Sequence, residues 1–160
     1  MKQREGPSLH TALASAAIGM AAGLALRAVV RMHRRIRLDG KTALVTGGTR
    51  GLGLELAREL AAHGARVAIC GRDPDELDRA EADLRGRGAD VLAVQCDVTV
   101  REQVQGMAAG IARHFGSLDV VINNAGTISV GPVETMTLTD FEDAMKLHFW
   151  APLHTTAAAV

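Results

Sequence analysis

Between Thr46 and Gly53 the chain reads Thr-Gly-Gly-Thr-Arg-Gly-Leu-Gly, directly after the short apolar run Thr42-Ala43-Leu44-Val45. Gly47, Gly51 and Gly53 stand in the spacing Gly-x3-Gly-x-Gly. Backbone without Cβ atoms turns sharply and approaches a ligand closely. If the last glycines open a helix, its first-turn amides and positive dipole end favour an anion, and a pyrophosphate suits them. The spacing differs from Gly-x-Gly-x2-Gly, and the loop lacks the Gly-Lys-Ser/Thr ending of an ATPase loop. A glycine-rich turn with no ligand is the alternative.

The elements around this loop follow from periodicity. Gly51 to His63 reads as a helix with Leu52, Leu56 and Leu60 recurring on one face, stopped by Gly64. Arg66-Val67-Ala68-Ile69-Cys70 is the next strand. Asp73-Pro74-Asp75-Glu76 then starts a helix with an N-cap carboxylate, proline at the first position and Glu at the third, and Leu77, Ala80 and Leu84 form its buried stripe. Val91-Leu92-Ala93-Val94 is strand three. Thr99 and Glu102 suggest a capping box for a helix lined by Val104, Met107, Ala108 and Ile111. Leu118 to Ile122 is strand four, and Thr139 with Glu142 would cap a helix through Phe141, Met145 and Phe149. Apolar strands alternating with amphipathic helices predict an α/β fold, a parallel sheet between helix layers in a three-layer sandwich, truncated after about four strands.

Three segments taken together, Thr46–Gly53, Cys96-Asp97-Val98 and Asn123-Asn124-Ala125-Gly126, resemble in order and spacing the short-chain dehydrogenase/reductase family. The likeness runs from about Leu38 to the C-terminus and implies a Rossmann-type sheet and an oxidoreductase of alcohol or carbonyl compounds. Under it, Gly47, Thr49, Arg50, Gly51, Leu52 and Gly53 form the cofactor loop. Asp97 would bind the adenine edge with Val98 beside it, Asn123 would support the sheet, and Ala125 and Gly126 would line the ribose and nicotinamide side. Independently, Asp97 also suits a turn cap at Val98-Thr99. An NAD-type member carries an acid at the end of strand two, where this chain has Gly71. Arg50 and Arg72 suit a 2′-phosphate, which favours NADP(H) over NAD(H). The competing role for Arg72 is pairing with Asp73 or Asp75.

The family's Ser, Tyr and Lys of catalysis find no counterpart here, and the chain contains no Tyr. The 160 residues are therefore expected to be inactive alone, with a non-catalytic dinucleotide-binding module or a structural remnant as alternatives. His148 stands near where the family often has an Asn, which leaves a proton relay, a water site or ordinary packing open. Glu134, Asp140, Glu142 and Asp143 look like caps and solvated faces.

Zero net charge hides an asymmetry. Residues 1–37 hold seven Lys/Arg against one Asp/Glu; the remainder holds eleven against seventeen. A basic leader on an acidic body with 2% aromatic residues does not describe a nucleic-acid binder. Cys70 and Cys96 give neither a disulfide framework nor metal-ligand spacing and read as core residues. The leader carries no formal charge from Gly6 to Leu26, and Arg27, Arg31, Arg34, Arg35 and Arg37 follow. This pattern predicts a membrane anchor near residues 8–30 with the main domain cytoplasmic. An interfacial helix, a targeting peptide and a loosely ordered extension are the alternatives. The expected partner is a small-molecule substrate. The helix near Phe141 to Trp150 would face a second subunit of a homo-oligomer or more of its own fold.

Overall fold

A computed structural model describes Met20, Gly23, Arg27 and residues 37–160. The chain divides into two units, Met1–Arg37 and Leu38–Val160. The second contains β1 (Thr42–Thr46), α1 (Gly51–Ala62), β2 (Arg66–Gly71), α2 (Pro74–Gly86), β3 (Val91–Gln95), α3 (Arg101–Phe115) and β4 (Val120–Ile122). A 3-10 turn (Val133–Thr135) and α4 (Leu138–Met145) follow, then a π-helical stretch (Lys146–Trp150) that runs into α5 (Ala151–Ala158).

The strands form one parallel sheet in the order β3-β2-β1-β4. Alternation along β1 divides the core into two layers. Ala43 and Val45 join Val67, Ile69, Leu60, Leu77 and Leu84 on the α1/α2 face. Leu44 joins Ala68, Cys70, Val104, Met107 and Ile111 on the face covered by α3. The three-layer Rossmann-type α/β architecture expected from the sequence is the observed one.

Local chemistry explains where most helices begin and end. The Asp73 carboxylate accepts the Glu76 N–H at 3.1 Å, Pro74 fixes the first turn, and Leu77, Ala80 and Leu84 are buried as expected. Gly64 follows α1 with φ +82°. Two starts differ from expectation. Val100 precedes α3 without a side-chain cap, because the Thr99 hydroxyl donates to Asp97 Oδ1 at 2.7 Å instead of serving the helix. Helix α4 is capped by Thr137 with Asp140, two residues earlier than Thr139 and Glu142, through bonds of 3.3 and 2.7 Å. The buried face of α1 is Gly53, Ala57 and Leu60, whereas Leu52 is 69% exposed.

Strand β4 is three residues long and, among the described residues, pairs only with β1. Polar bonds secure both its ends. Before it, the Asp119 carboxylate accepts from the Thr42 N–H, Lys41 Nζ and Ser117 Oγ, each at 2.9 Å. After it, the buried Thr46 hydroxyl oxygen accepts the N–H groups of Asn124 and Ala125 at 3.0 Å. Asn124 Nδ2 also donates to the Thr46 and Gly47 carbonyls at 3.0 and 3.1 Å.

The expected membrane anchor, membrane partner and membrane-anchored location are corrected. No helix among the described residues is long and apolar enough to cross a membrane. Helix α3, with 15 residues, spans about 22 Å against the ~30 Å of a hydrocarbon core, and its exposed face is charged. The apolar stretch of the leader lies outside the described residues except for Met20, Gly23 and Arg27, which are helical and exposed.

Two expectations follow. The Thr42 amide, then Lys41 and Ser117, hold the Asp119 carboxyl at about 2, below its ordinary 3.8. A folded value below the unfolded one means that the contribution is full above about pH 4 and lost as the pH falls through about 2. Asp119→Asn should therefore lower stability at neutral pH and flatten its decline below pH ~4 in urea titrations at stepped pH; an unchanged acid limb would refute this. Asn124→Ala leaves two loop carbonyls without their donor and should remove about 1–3 kcal/mol, seen as a lower Tm by calorimetry. An unaltered Tm would show that Asn124 fastens nothing.

Candidate functional site

The bend from β1 into α1 is packed so tightly that side chains are excluded. A Cβ on Gly53 would sit 2.2 Å from the Gly47 carbonyl oxygen and 2.5 Å from Asn124 Nδ2. Gly47 and Gly51 have φ of +63° and +54°, in the region that favours glycine. The N-cap of α1 is Arg50, which makes no side-chain cap, and the first turn holds no acid. Leu54 N–H is the first amide to turn back along the helix, to the Arg50 carbonyl at 3.3 Å. The amides of Gly51, Leu52 and Gly53 precede it and have no acceptor within the helix. Such an end can receive an anion against bare backbone.

This bend opens on a cleft of about 1070 Å³ across the C-terminal ends of the strands. In the order β3-β2-β1-β4, β1 is the strand from which the chain departs to both sides, and ligands of open α/β sheets lie at such a point. Gly47, Thr49, Arg50, Leu52 and Gly53 form one wall. Arg72, Asp97 and Val98 come from the ends of β2 and β3, and Ala125 and Gly126 from the end of β4. Two residues expected at the site are not in its lining. Gly51 shapes the start of α1, and Asn123 turns away, its Oδ1 accepting the Thr155 hydroxyl at 2.5 Å.

Charge gathers at the β2 end. Glu76 Oε2 accepts the Thr49 hydroxyl at 3.0 Å and lies 3.7 Å from Arg50 Nε. Among the described residues Arg72 forms no ion pair, with Asp73 and Asp75 or any other acid. Asp97 is committed to its own turn, accepting from the Thr99 amide and hydroxyl at 2.9 and 2.7 Å. Burial opposes its charge, but those Thr99 bonds and the nearby Arg72 outweigh burial and keep its pKa below the ordinary carboxylate range. Burial pushes the Cys70 thiol up to about 12 and the Cys96 thiol up to about 11, so both stay protonated core groups.

At the β4 end, His148 lies on the π-helical stretch with Nε2 2.8 Å from the Thr127 carbonyl. A carbonyl only accepts, so Nε2 carries the proton. The ring tethers this loop, and a Cβ on Gly126 would lie 3.1 Å from the imidazole Cε1, close enough that the ring would have to shift by a few tenths of an ångström.

Sequence reasoning passed over Asn124 and Glu76. Asn124 follows Asn123 directly in the sequence, and nothing local says which carboxamide turns inward. Glu76 stood out as the third residue of a helix start; its bond to Thr49 spans 27 residues and depends on the fold.

Comparison with known proteins agrees with this geometry. The family model of short chain dehydrogenases matches residues 41–160. Hydroxynaphthalene reductase arp2 of Aspergillus fumigatus is 38% identical over 112 residues, covering 69% of this chain and 41% of the relative. A metagenomic short-chain oxidoreductase solved in complex with NADP is 31% identical with a TM-score of 0.70, over 77% of this chain and 56% of that one. A short chain dehydrogenase/reductase of Burkholderia phymatum in complex with NAD is 28% identical with a TM-score of 0.74, over 78% and 44%. The chain spans less than half the length of the curated relatives it matches. With the family's model matched from Lys41 to Val160 and its sheet and glycine bend in place, this chain belongs to the short-chain dehydrogenases.

Proposed function

We propose that this chain supplies the nucleotide-holding side of an oxidoreductase acting on alcohol or carbonyl compounds, with NADP(H) taken in preference to NAD(H). The observation that carries the proposal is the glycine bend, where Gly53 meets the Gly47 carbonyl more closely than any side chain permits. Uncapped amides of α1 then face a cleft long enough to run from the β3 end to the β4 end. When bound, the nicotinamide ring would give or take the hydride, and the chain's own residues would bind and orient it.

The backbone of Gly51 to Gly53 would take the pyrophosphate. Asp97 would offer its remaining acceptor capacity to the adenine edge, beside Val98. Ala125 and Gly126, with little side chain, would leave room for the nicotinamide side. Relatives are known in complex with NADP and with NAD, so the preference rests on residues of this chain. Gly71 supplies no carboxylate for a ribose 2′-OH, while Arg50 and Arg72 line the same end of the cleft.

A second reading, confined to these 160 residues, is that they bind the nucleotide without turnover, since they contain no Tyr. Hydride transfer to a carbonyl needs a proton donor beside the oxygen, and His148 is engaged with the Thr127 carbonyl through Nε2. The 160-residue chain alone is therefore proposed to be inactive.

Titration calorimetry of the 160-residue chain with NADPH and NADH tests both parts. NADPH should bind more tightly, and Arg72→Gln should weaken it about tenfold while leaving NADH within about twofold. Equal affinities would overturn the NADP(H) preference, and no binding of either would overturn the assignment of the cleft. Carbonyl-dependent NADPH oxidation by this chain alone would overturn its proposed inactivity.

A further inference from the structure

We infer that Glu76 is a specificity-determining residue that restrains the preference for a 2′-phosphate, by holding negative charge against Arg50 at the ribose end of the cleft. The inference rests on the dinucleotide assignment above and assigns to Glu76 a part that its position as a helix-start residue does not suggest.

The geometry is specific. Thr49 fills the space over Gly71, where a Cβ would lie 2.7 Å from the Thr49 methyl. A side chain at position 71 would thus displace Thr49. The negative charge at this end arrives instead from the following helix, through the 3.0 Å bond from the Thr49 hydroxyl to Glu76 Oε2. The same oxygen lies 3.7 Å from Arg50 Nε.

The two partners differ in freedom. The Glu76 side chain is 27% exposed and hydrogen-bonded, while the Arg50 side chain is 82% exposed. The carboxylate is therefore the fixed member, and the guanidinium is the one that can swing towards a ligand. Two further acids line this side of the cleft, and both are engaged locally: Asp73 Oδ1 accepts the Glu76 N–H at 3.1 Å, and Asp97 Oδ1 accepts the Thr99 amide and hydroxyl near Arg72.

A phosphate monoester near neutral pH carries about −1.5 to −2 charges. To use Arg50 it must draw the guanidinium from Glu76 while lying near a like charge. NADH brings no phosphate to this end and is indifferent to the exchange. Glu76 thus lowers NADPH affinity selectively, and the ratio between the two nucleotides reflects Arg50 and Arg72 opposed by Glu76.

The test compares NADPH and NADH dissociation constants for the 160-residue chain, E76Q, R50Q and the double variant R50Q/E76Q. Gln keeps an oxygen to accept the Thr49 hydroxyl and removes only the charge. E76Q should raise the NADPH-to-NADH affinity ratio about three- to tenfold, less at high salt. In the R50Q background the gain should shrink to about twofold or less, because the competition acts through Arg50. A ratio that stays constant or falls in E76Q overturns the inference. So does an equal gain for both nucleotides, which would mark a general effect on the loop. If neither nucleotide binds the unsubstituted chain, the dinucleotide assignment fails and takes this inference with it. If both bind and Arg72→Gln lowers the ratio while E76Q leaves it alone, only the part given to Glu76 fails.

Discussion

Where β1 hands the chain to α1, two stretches of backbone pass each other with no room for a side chain. The Gly47 carbonyl and the Gly53 Cα stand so close that a single methyl group at Gly53 would overlap the oxygen. This contact sets the rotation of α1. Gly53 must face inward, so Ala57 and Leu60 follow it into the core and Leu52 is carried out to the cleft. It also leaves the first amides of the helix uncovered, because no capping side chain and no acid occupies the space before them. The loop does not hold this shape alone. Asn124, from the end of β4, grips the carbonyls of Thr46 and Gly47, so the sheet order that places β4 beside β1 is what closes the bend.

Backbone donors are indifferent to which nicotinamide nucleotide they hold, since both carry the same pyrophosphate. In the proposed function, discrimination would therefore fall to side chains at the β2 end of the cleft, where Arg50, Arg72, Asp73 and Glu76 stand together. Arg50, Arg72 and Asp73 are exposed and Glu76 is only partly buried, so each would contribute modestly and the outcome would be a balance between opposed charges. Under the proposed function, affinity and selectivity would arise from different parts of one site: the rigid, side-chain-free bend would serve the first, and the adjustable charges at the β2 end the second.

Much of this was legible in the sequence because the signals were local. Asp73-Pro74-Asp75-Glu76 contains its own cap, proline and buried stripe, and α2 begins there. The glycines of the bend and the apolar strands around it gave the parallel fold. Signals failed where two equivalent local solutions competed or where a distant partner decided. Thr137 with Asp140 and Thr139 with Glu142 both have capping-box spacing, and the first prevailed. Thr99 and Glu102 have the same spacing, but Asp97 claimed the Thr99 hydroxyl. Asn123 and Asn124 are identical neighbours, and only the strand end shows that Asn124 faces the glycine loop while Asn123 faces Thr155. The uncharged leader read as a membrane span by its length, yet Ala and Gly give little transfer energy, and no helix among the described residues meets the requirement for crossing.

Bare backbone at the start of α1 is proposed to receive the charged bridge of a dinucleotide. Amide resonances of the isotopically labelled chain, followed as NADPH is added, test it most directly. The largest shifts, and slowed exchange with solvent, should fall on the N–H groups of Gly51, Leu52 and Gly53. Saturable shifts confined to other segments, with these three amides unmoved, would contradict it.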